Sequence, residues 1–129
     1  MPERPLSPHL GVYHFGYTMS LSILHRVAGV ALSIALLSLT GWLMAAASGP
    51  RAYAQAASVL RTWPARAWIA LALIALCYHF CNGVRHLAWD MGWGFERREA
   101  RRSAAVMLAV AAVAAIACLV ALLRGAAGT

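Results

Sequence analysis

Two groups of polar residues stand inside otherwise apolar stretches of this 129-residue chain, each with the spacing of one helical face. The first is Ser22-x-x-His25-Arg26-x-x-Gly29, and the second is His79-x-x-x-Gly83-x-x-His86-x-x-x-Asp90. Steps of three, four and seven residues return to the same side of a helix. In the first group the Arg26 guanidinium offers a rigid fork of donors suited to a carboxylate or phosphate, with His25 and Ser22 adding hydrogen bonds beside it. Gly29 leaves room there for a flat group or another helix. The plainer alternative is that His25 and Arg26 reach out to lipid headgroups. In the second group His79 is the imidazole deepest in an apolar run, and imidazole is a common axial ligand of haem iron. Gly83, one turn away, removes a side chain that would otherwise block a flat macrocycle. The alternative is a neutral histidine hydrogen-bonded between helices. Asp90 either closes a charge network with His86 or Arg85, or is solvated at an interface.

Such groups have to be positioned by helices that live in lipid. Hydrophobic residues make up 62% of the chain and charged residues 12%, more apolar side chain than a core of this size can hide from water. This balance excludes a soluble enzyme, a secreted disulfide scaffold and a disordered tail. Uncharged runs cover residues 27–47, 67–84 and 104–123. Each meets the roughly 20 helical residues that a bilayer core of about 30 Å requires. The expected fold is therefore an all-α membrane protein with three transmembrane helices, the spans at about 22–47, 67–90 and 104–124. Residues 1–129 form one membrane-anchor domain, with residues 1–20 a non-spanning segment that a soluble partner could cover.

The punctuation agrees with this division. Ser48-Gly49-Pro50 stops the first span, Pro64 sits just before the second, and Met91-Gly92-Trp93-Gly94 closes it. Trp42, Tyr53, Trp63 and Trp68 gather at one interface, and Trp89 and Trp93 at the other. Met1-Pro2-Glu3-Arg4-Pro5 lacks the order of a signal peptide, so the first apolar run is expected to stay. All eleven basic residues are arginines, and most flank the apolar runs. With no nucleic-acid motif present, the net charge of +7 reads as topology signals and lipid-headgroup contacts rather than as a nucleic-acid surface. Arg4, Arg26, Arg85, Arg97, Arg98, Arg101 and Arg102 fall on the side of the N-terminus, against Arg51, Arg61, Arg66 and Arg124 opposite. By the positive-inside rule the N-terminus is expected to be cytoplasmic. Cys77, Cys81 and Cys118 lie inside apolar runs without C-x-x-C spacing, and read as small buried hydrophobes.

One deep histidine makes an incomplete haem site. His9 and His14 precede the spans, His25 starts one, and His86 is nearer the interface. A second axial ligand is then expected from a partner chain, which points to an obligate hetero-oligomer.

Three segments together carry a family resemblance: Arg4-Pro5-Leu6-Ser7-Pro8-His9-Leu10, Ser22-Ile23-Leu24-His25-Arg26-Val27-Ala28-Gly29, and His79 through Asp90. In this order and spacing the chain closely resembles the cytochrome b subunit of succinate dehydrogenase, the larger membrane anchor of respiratory complex II. The resemblance implies a role for each matching residue. His79 is the axial ligand to the iron of haem b, and a small membrane-anchor subunit donates the second ligand. Ser22 and Arg26 line a ubiquinone pocket beside the iron-sulfur subunit, while His25, Arg26 and His86 lie near the haem propionates. Arg85 and Asp90 are structural or proton-relaying. It further implies a flavoprotein subunit as the site of succinate oxidation, ubiquinone as the electron acceptor, and a multi-pass location in the bacterial inner membrane among its lipids. No complete active site would reside in this chain. Two other readings stay open at this point: the anchor of a quinol:fumarate reductase, and a non-redox membrane assembly subunit whose histidines only pack helices.

Overall fold

The structure, a computed structural model, describes residues 16–127. The described residues are helical almost throughout. Helix α1 runs Tyr17–Ala47, α2 Pro50–Leu60, α3 Trp63–Asp90 and α4 Arg97–Ala127. Three of them, α1, α3 and α4, are long and apolar enough to cross a membrane. Most of the 1–20 segment lies outside the described residues.

The long helices extend past the apolar runs that announce them. Gly16, extended at φ −69° and ψ 144°, starts α1, and its carbonyl accepts from the Met19 and Ser20 amides at 3.0 and 3.1 Å. His25 thus sits about two turns inside α1 rather than at its start. The stretch 97–103, which precedes the expected span at about 104–124, is the first part of α4. Arginine and alanine are good helix formers, and Glu99 in the first turn suits the positive end of the helix dipole.

Helix α2 was not expected from the sequence. Gly49 takes φ 112°, which favours glycine, and Pro50 follows at the first helical position. The next residues are rich in alanine, and Tyr53 packs its ring at 6.4 Å from Trp42 of α1. Eleven residues cannot cross a bilayer, so α2 belongs with the interfacial aromatics at that end. At the other end α3 closes as foreseen. Gly92 turns at φ 87°, its amide donates to the Trp89 carbonyl at 2.8 Å, and the Trp93 amide donates to the Ala88 carbonyl at 3.0 Å. This pair of bonds is a Schellman motif, which satisfies carbonyls that would otherwise be stranded.

Helix α3 stands between α1 and α4 and packs along both, while α1 and α4 scarcely touch. Leu21 and Ala28 of α1, Tyr78 of α3, and Ala104 and Met107 of α4 form the common core. On α4 the buried stripe Ala104, Met107, Ala111 and Ala115 is mostly alanine, which lets the α3 and α4 backbones approach. Large apolar side chains such as Leu36, Leu37, Val113 and Ile116 point outward, as lipid-facing surfaces do. Hydroxyls on α1 return to their own helix: Ser33 donates to the Gly29 carbonyl at 3.0 Å and Thr40 to the Leu36 carbonyl at 2.9 Å. They therefore need no partner from outside.

Candidate functional site: a histidine seam between α1 and α3

The two sequence groups meet. His25 of α1 and His79 of α3 stack face to face, ring centroids 3.9 Å apart and planes within 7°. His86 lies 5.1 Å from His25, tilted by 51°. His79 is therefore not set apart from the other imidazoles, contrary to what the apolar runs alone suggest. The early start of α1 carries His25 inward to the level of His79. Face-to-face rings at this distance leave no room for a flat macrocycle between them, so in this arrangement His25 is no second axial ligand from the opposite face.

Each glycine of the two groups serves the histidine of the other helix. A Cβ built on Gly29 would come within 3.1 Å of His79 Cε1, closer than side chains ordinarily pack, so only glycine admits the ring as it stands. A Cβ on Gly83 would meet His25 Cε1 at 3.7 Å, an ordinary contact. His79 Nδ1 lies 3.1 Å from the His25 backbone oxygen. A carbonyl only accepts, so Nδ1 carries the proton and the Nε2 lone pair is left for another partner. This is how metal-binding histidines are oriented, with the distal ring N–H tied to a carbonyl. His25 Nδ1 is buried without any hydrogen-bond partner among the described residues. A buried polar atom in that condition calls for a ligand or a missing group.

Ser22 and Arg26 divide differently from the expected single face. Ser22, His25 and Gly29 are half-buried, whereas Arg26 is exposed at the edge of the stripe. A residue one step along a helix is rotated by about 100°, which turns Arg26 away from the seam that holds His25. Neither the Ser22 hydroxyl nor the Arg26 guanidinium makes a hydrogen bond among the described residues, so both donors remain available. Asp90 is exposed at the end of α3 and forms no ion pair with His86 or Arg85. It closes no charge network with them. Among the described residues no group of three or more His, Cys, Asp or Glu side chains could hold a bare metal ion.

Arg85 turns its back on the histidines. Only 6% exposed, it donates from Nε to Ser103 Oγ at 3.1 Å, from Nη2 to the Ala100 carbonyl at 3.0 Å and from Nη1 to Asn82 Oδ1 at 3.4 Å. Its guanidinium also lies over Trp89, 4.0 Å from the ring centroid. The network joins α3 to α4.

The sequence model for the family described as Succinate dehydrogenase/Fumarate reductase transmembrane subunit matches residues 1–118. The chain belongs to that family. It is similar to the succinate dehydrogenase cytochrome b556 subunit of Paracoccus denitrificans, at 38% identity over 92% of this chain and 91% of the relative. The cytochrome b556 subunit of Rickettsia prowazekii is 42% identical over 73% of each chain. A mitochondrial cytochrome b560 subunit, from Dictyostelium discoideum, is 38% identical over 87% of this chain and 59% of its own. The resemblance drawn from the three segments holds at family level.

For this member of the family, several residues that organise the seam had not been singled out from sequence. The Tyr78 hydroxyl donates to the Leu21 carbonyl at 2.6 Å and pins α3 to α1. Asn82 is fully buried, with its amide against both Arg85 and His86. The signal was present, because an amide in the middle of an apolar run must find partners. Attention to ionisable groups alone passed over it.

Proposed function

We propose that this chain is a membrane anchor of a succinate:ubiquinone oxidoreductase, holding haem b through His79 and contributing Ser22 and Arg26 to a ubiquinone-reduction site. The observation that carries the reading is His79 itself: Nδ1–H on the His25 carbonyl, ring seated against Gly29, Nε2 lone pair free. The orphaned His25 Nδ1 adds a second sign that the seam is built for a polar group of a ligand. Haem b, when bound, supplies a one-electron redox centre. On this reading His25, Arg26 and His86 would hold its propionates, and a small membrane-anchor subunit would supply the second ligand to its iron.

The chemistry asked of Arg26 and Ser22 is electrostatic. A quinone oxygen gains negative charge as it is reduced, and donors already fixed around it lower that barrier without reorganising. The planar guanidinium of Arg26 is exposed at the edge of the seam, where a lipid-soluble headgroup can reach it. Iron-sulfur and flavoprotein subunits would dock on the same end. The groove between the starts of α1 and α4, lined by Tyr17, Thr18, Arg97, Arg98 and Arg101, offers them a basic surface. On this reading residues 1–129 act as one anchor domain, and the N-terminus faces the cytoplasm of a bacterial inner membrane.

Co-purification tests the whole reading. The affinity-tagged chain, extracted from its native membrane, should bring two soluble subunits and a small membrane subunit. The reduced sample should show b-type absorption bands and reduce ubiquinone with succinate. Partners without haem would favour a non-redox assembly role, and faster quinol oxidation by fumarate would favour the reverse reaction.

A further inference from the structure

The polar chain behind the histidine seam has a direction, and the direction follows from donor chemistry alone. Arginine cannot accept a hydrogen bond, so the Asn82 atom facing Arg85 Nη1 at 3.4 Å has to be the carbonyl oxygen. That places Nδ2, a donor only, toward His86 Nε2 at 3.4 Å. The opposite amide orientation would set N–H against N–H on the Arg85 side. His86 Nε2 must then be the unprotonated, accepting nitrogen, and the ring proton belongs on Nδ1. An imidazolium, or the other neutral tautomer, would set an Nε2–H against the amide hydrogens. Both contacts are long, so their effect lies in polarity rather than in strength. Burial enforces that polarity at its centre, where Asn82 is 0% exposed and Arg85 6%. The far end of the chain is anchored on α4, at Ser103 Oγ and the Ala100 carbonyl.

We infer that Asn82, oriented by Arg85, is a positioning residue that fixes His86 as its neutral Nδ1–H tautomer, leaving it one predetermined donor. Trp89 sets its ring nearly perpendicular to the His86 ring, 5.2 Å away at 81°, while its face carries the Arg85 guanidinium. The same cation thus holds both neighbours of His86. A donor fixed in this way suits an anionic oxygen such as a haem propionate. That application rests on the function proposed above, whereas the tautomer itself rests only on the hydrogen-bond chain.

The test is ¹⁵N NMR of the intact complex in lipid with ¹⁵N-labelled histidine, a His86→Gln sample identifying the His86 signals. The expected result is a pyridine-type Nε2 and a pyrrole-type Nδ1. In Asn82→Asp the carboxylate keeps Arg85 but presents an acceptor to His86, so the two nitrogen types should exchange. In Asn82→Leu the preference should disappear, giving both tautomers. A pyrrole-type Nε2 in the unsubstituted complex overturns the inference, as does an unchanged pattern in an assembled Asn82→Asp complex. If Asn82→Asp fails to assemble, the unsubstituted spectrum decides alone. A haem-free complex showing the expected pattern supports the inference while contradicting the proposed function, so the two failures are distinguishable.

Discussion

The two seams that α3 makes with its neighbours are built on opposite plans. Toward α4 the surface is closed: Ala104, Met107, Ala111 and Ala115 are buried, and the polar cluster of Asn82, Arg85 and Ser103 has acceptors matched to its donors. Toward α1 the surface is unfinished. Among the described residues His25 has a buried nitrogen with no partner, His79 keeps a free lone pair, and Arg26 and Ser22 offer donors to nothing. A protein that packed histidines merely to join helices would have satisfied them as fully as it satisfies Arg85. On the proposed function, the contrast means that the α4 seam only holds the fold, while the α1 seam, pinned by Tyr78 and Leu21, also keeps groups for a ligand.

Substitutions can break this contrast from either side. The largest effect is expected at Arg85. Arg85→Leu strands the Asn82 carbonyl oxygen in a fully buried place, at about 1–3 kcal/mol for an unsatisfied group, and takes from α4 the two bonds to Ser103 and the Ala100 carbonyl, which keep only each other. The complex should lose this subunit, measured as the subunit ratio after purification and the temperature of dissociation. A fully assembled complex of unchanged thermal stability would show that the α3–α4 network does not hold the fold.

Arg26→Leu should do the reverse, leaving assembly intact while quinone reduction falls, with haem content measured in the same preparation because Arg26 is also proposed as a propionate donor. Loss of a charge-assisted hydrogen bond costs about 1.5–3 kcal/mol, or roughly 10- to 150-fold in rate if expressed wholly in the transition state. Succinate oxidation with an artificial soluble acceptor should be spared. Arg26→Lys should recover part of the loss, because an ammonium lacks the planar fork, and Ser22→Ala should be milder than Arg26→Leu. Quinone reduction at the original rate in an intact Arg26→Leu complex would remove Arg26 from the site.

Smaller effects sharpen the boundary between seam and lipid. Ala111→Leu forces extra methylenes between α3 and α4, at about 1–3 kcal/mol, and should lower thermal stability with little change in haem content per assembled complex. Leu37→Ala, at a position 72% exposed in the isolated chain, should change almost nothing if that face meets lipid. A marked loss of assembly in Leu37→Ala would mean that a partner helix covers this face.

Much of this arrangement could be read in the sequence because lipid leaves few options. Runs of about twenty apolar residues announce helices, and Gly49-Pro50 and Gly92 mark real turns, since they supply the left-handed residue and the missing N–H that such turns use. The spacing put each histidine group on one helical face, but that the two faces pack against each other is seen only in the structure. What escaped has physical reasons. Helix α2 lacks an apolar run, being carried by alanines and a proline start. The depth of His25 was misjudged because a helix begins where its first amides find an acceptor, here Gly16, and not where hydropathy rises. Arg97 to Arg102 looked like loop because charge does not belong in lipid, yet a helix may continue beyond the bilayer. Asn82 escaped because its role depends on what faces it from α4 and from the next turn of its own helix.

The claim that the α1–α3 seam is the ligand seam is tested most directly by His79→Ala, with reduced-minus-oxidised absorption and low-temperature electron paramagnetic resonance recorded on the purified complex alongside its subunit ratio. The account predicts that all subunits remain together while the low-spin b-type spectrum is lost or converted to a high-spin form. An intact complex with the low-spin spectrum unchanged would contradict it.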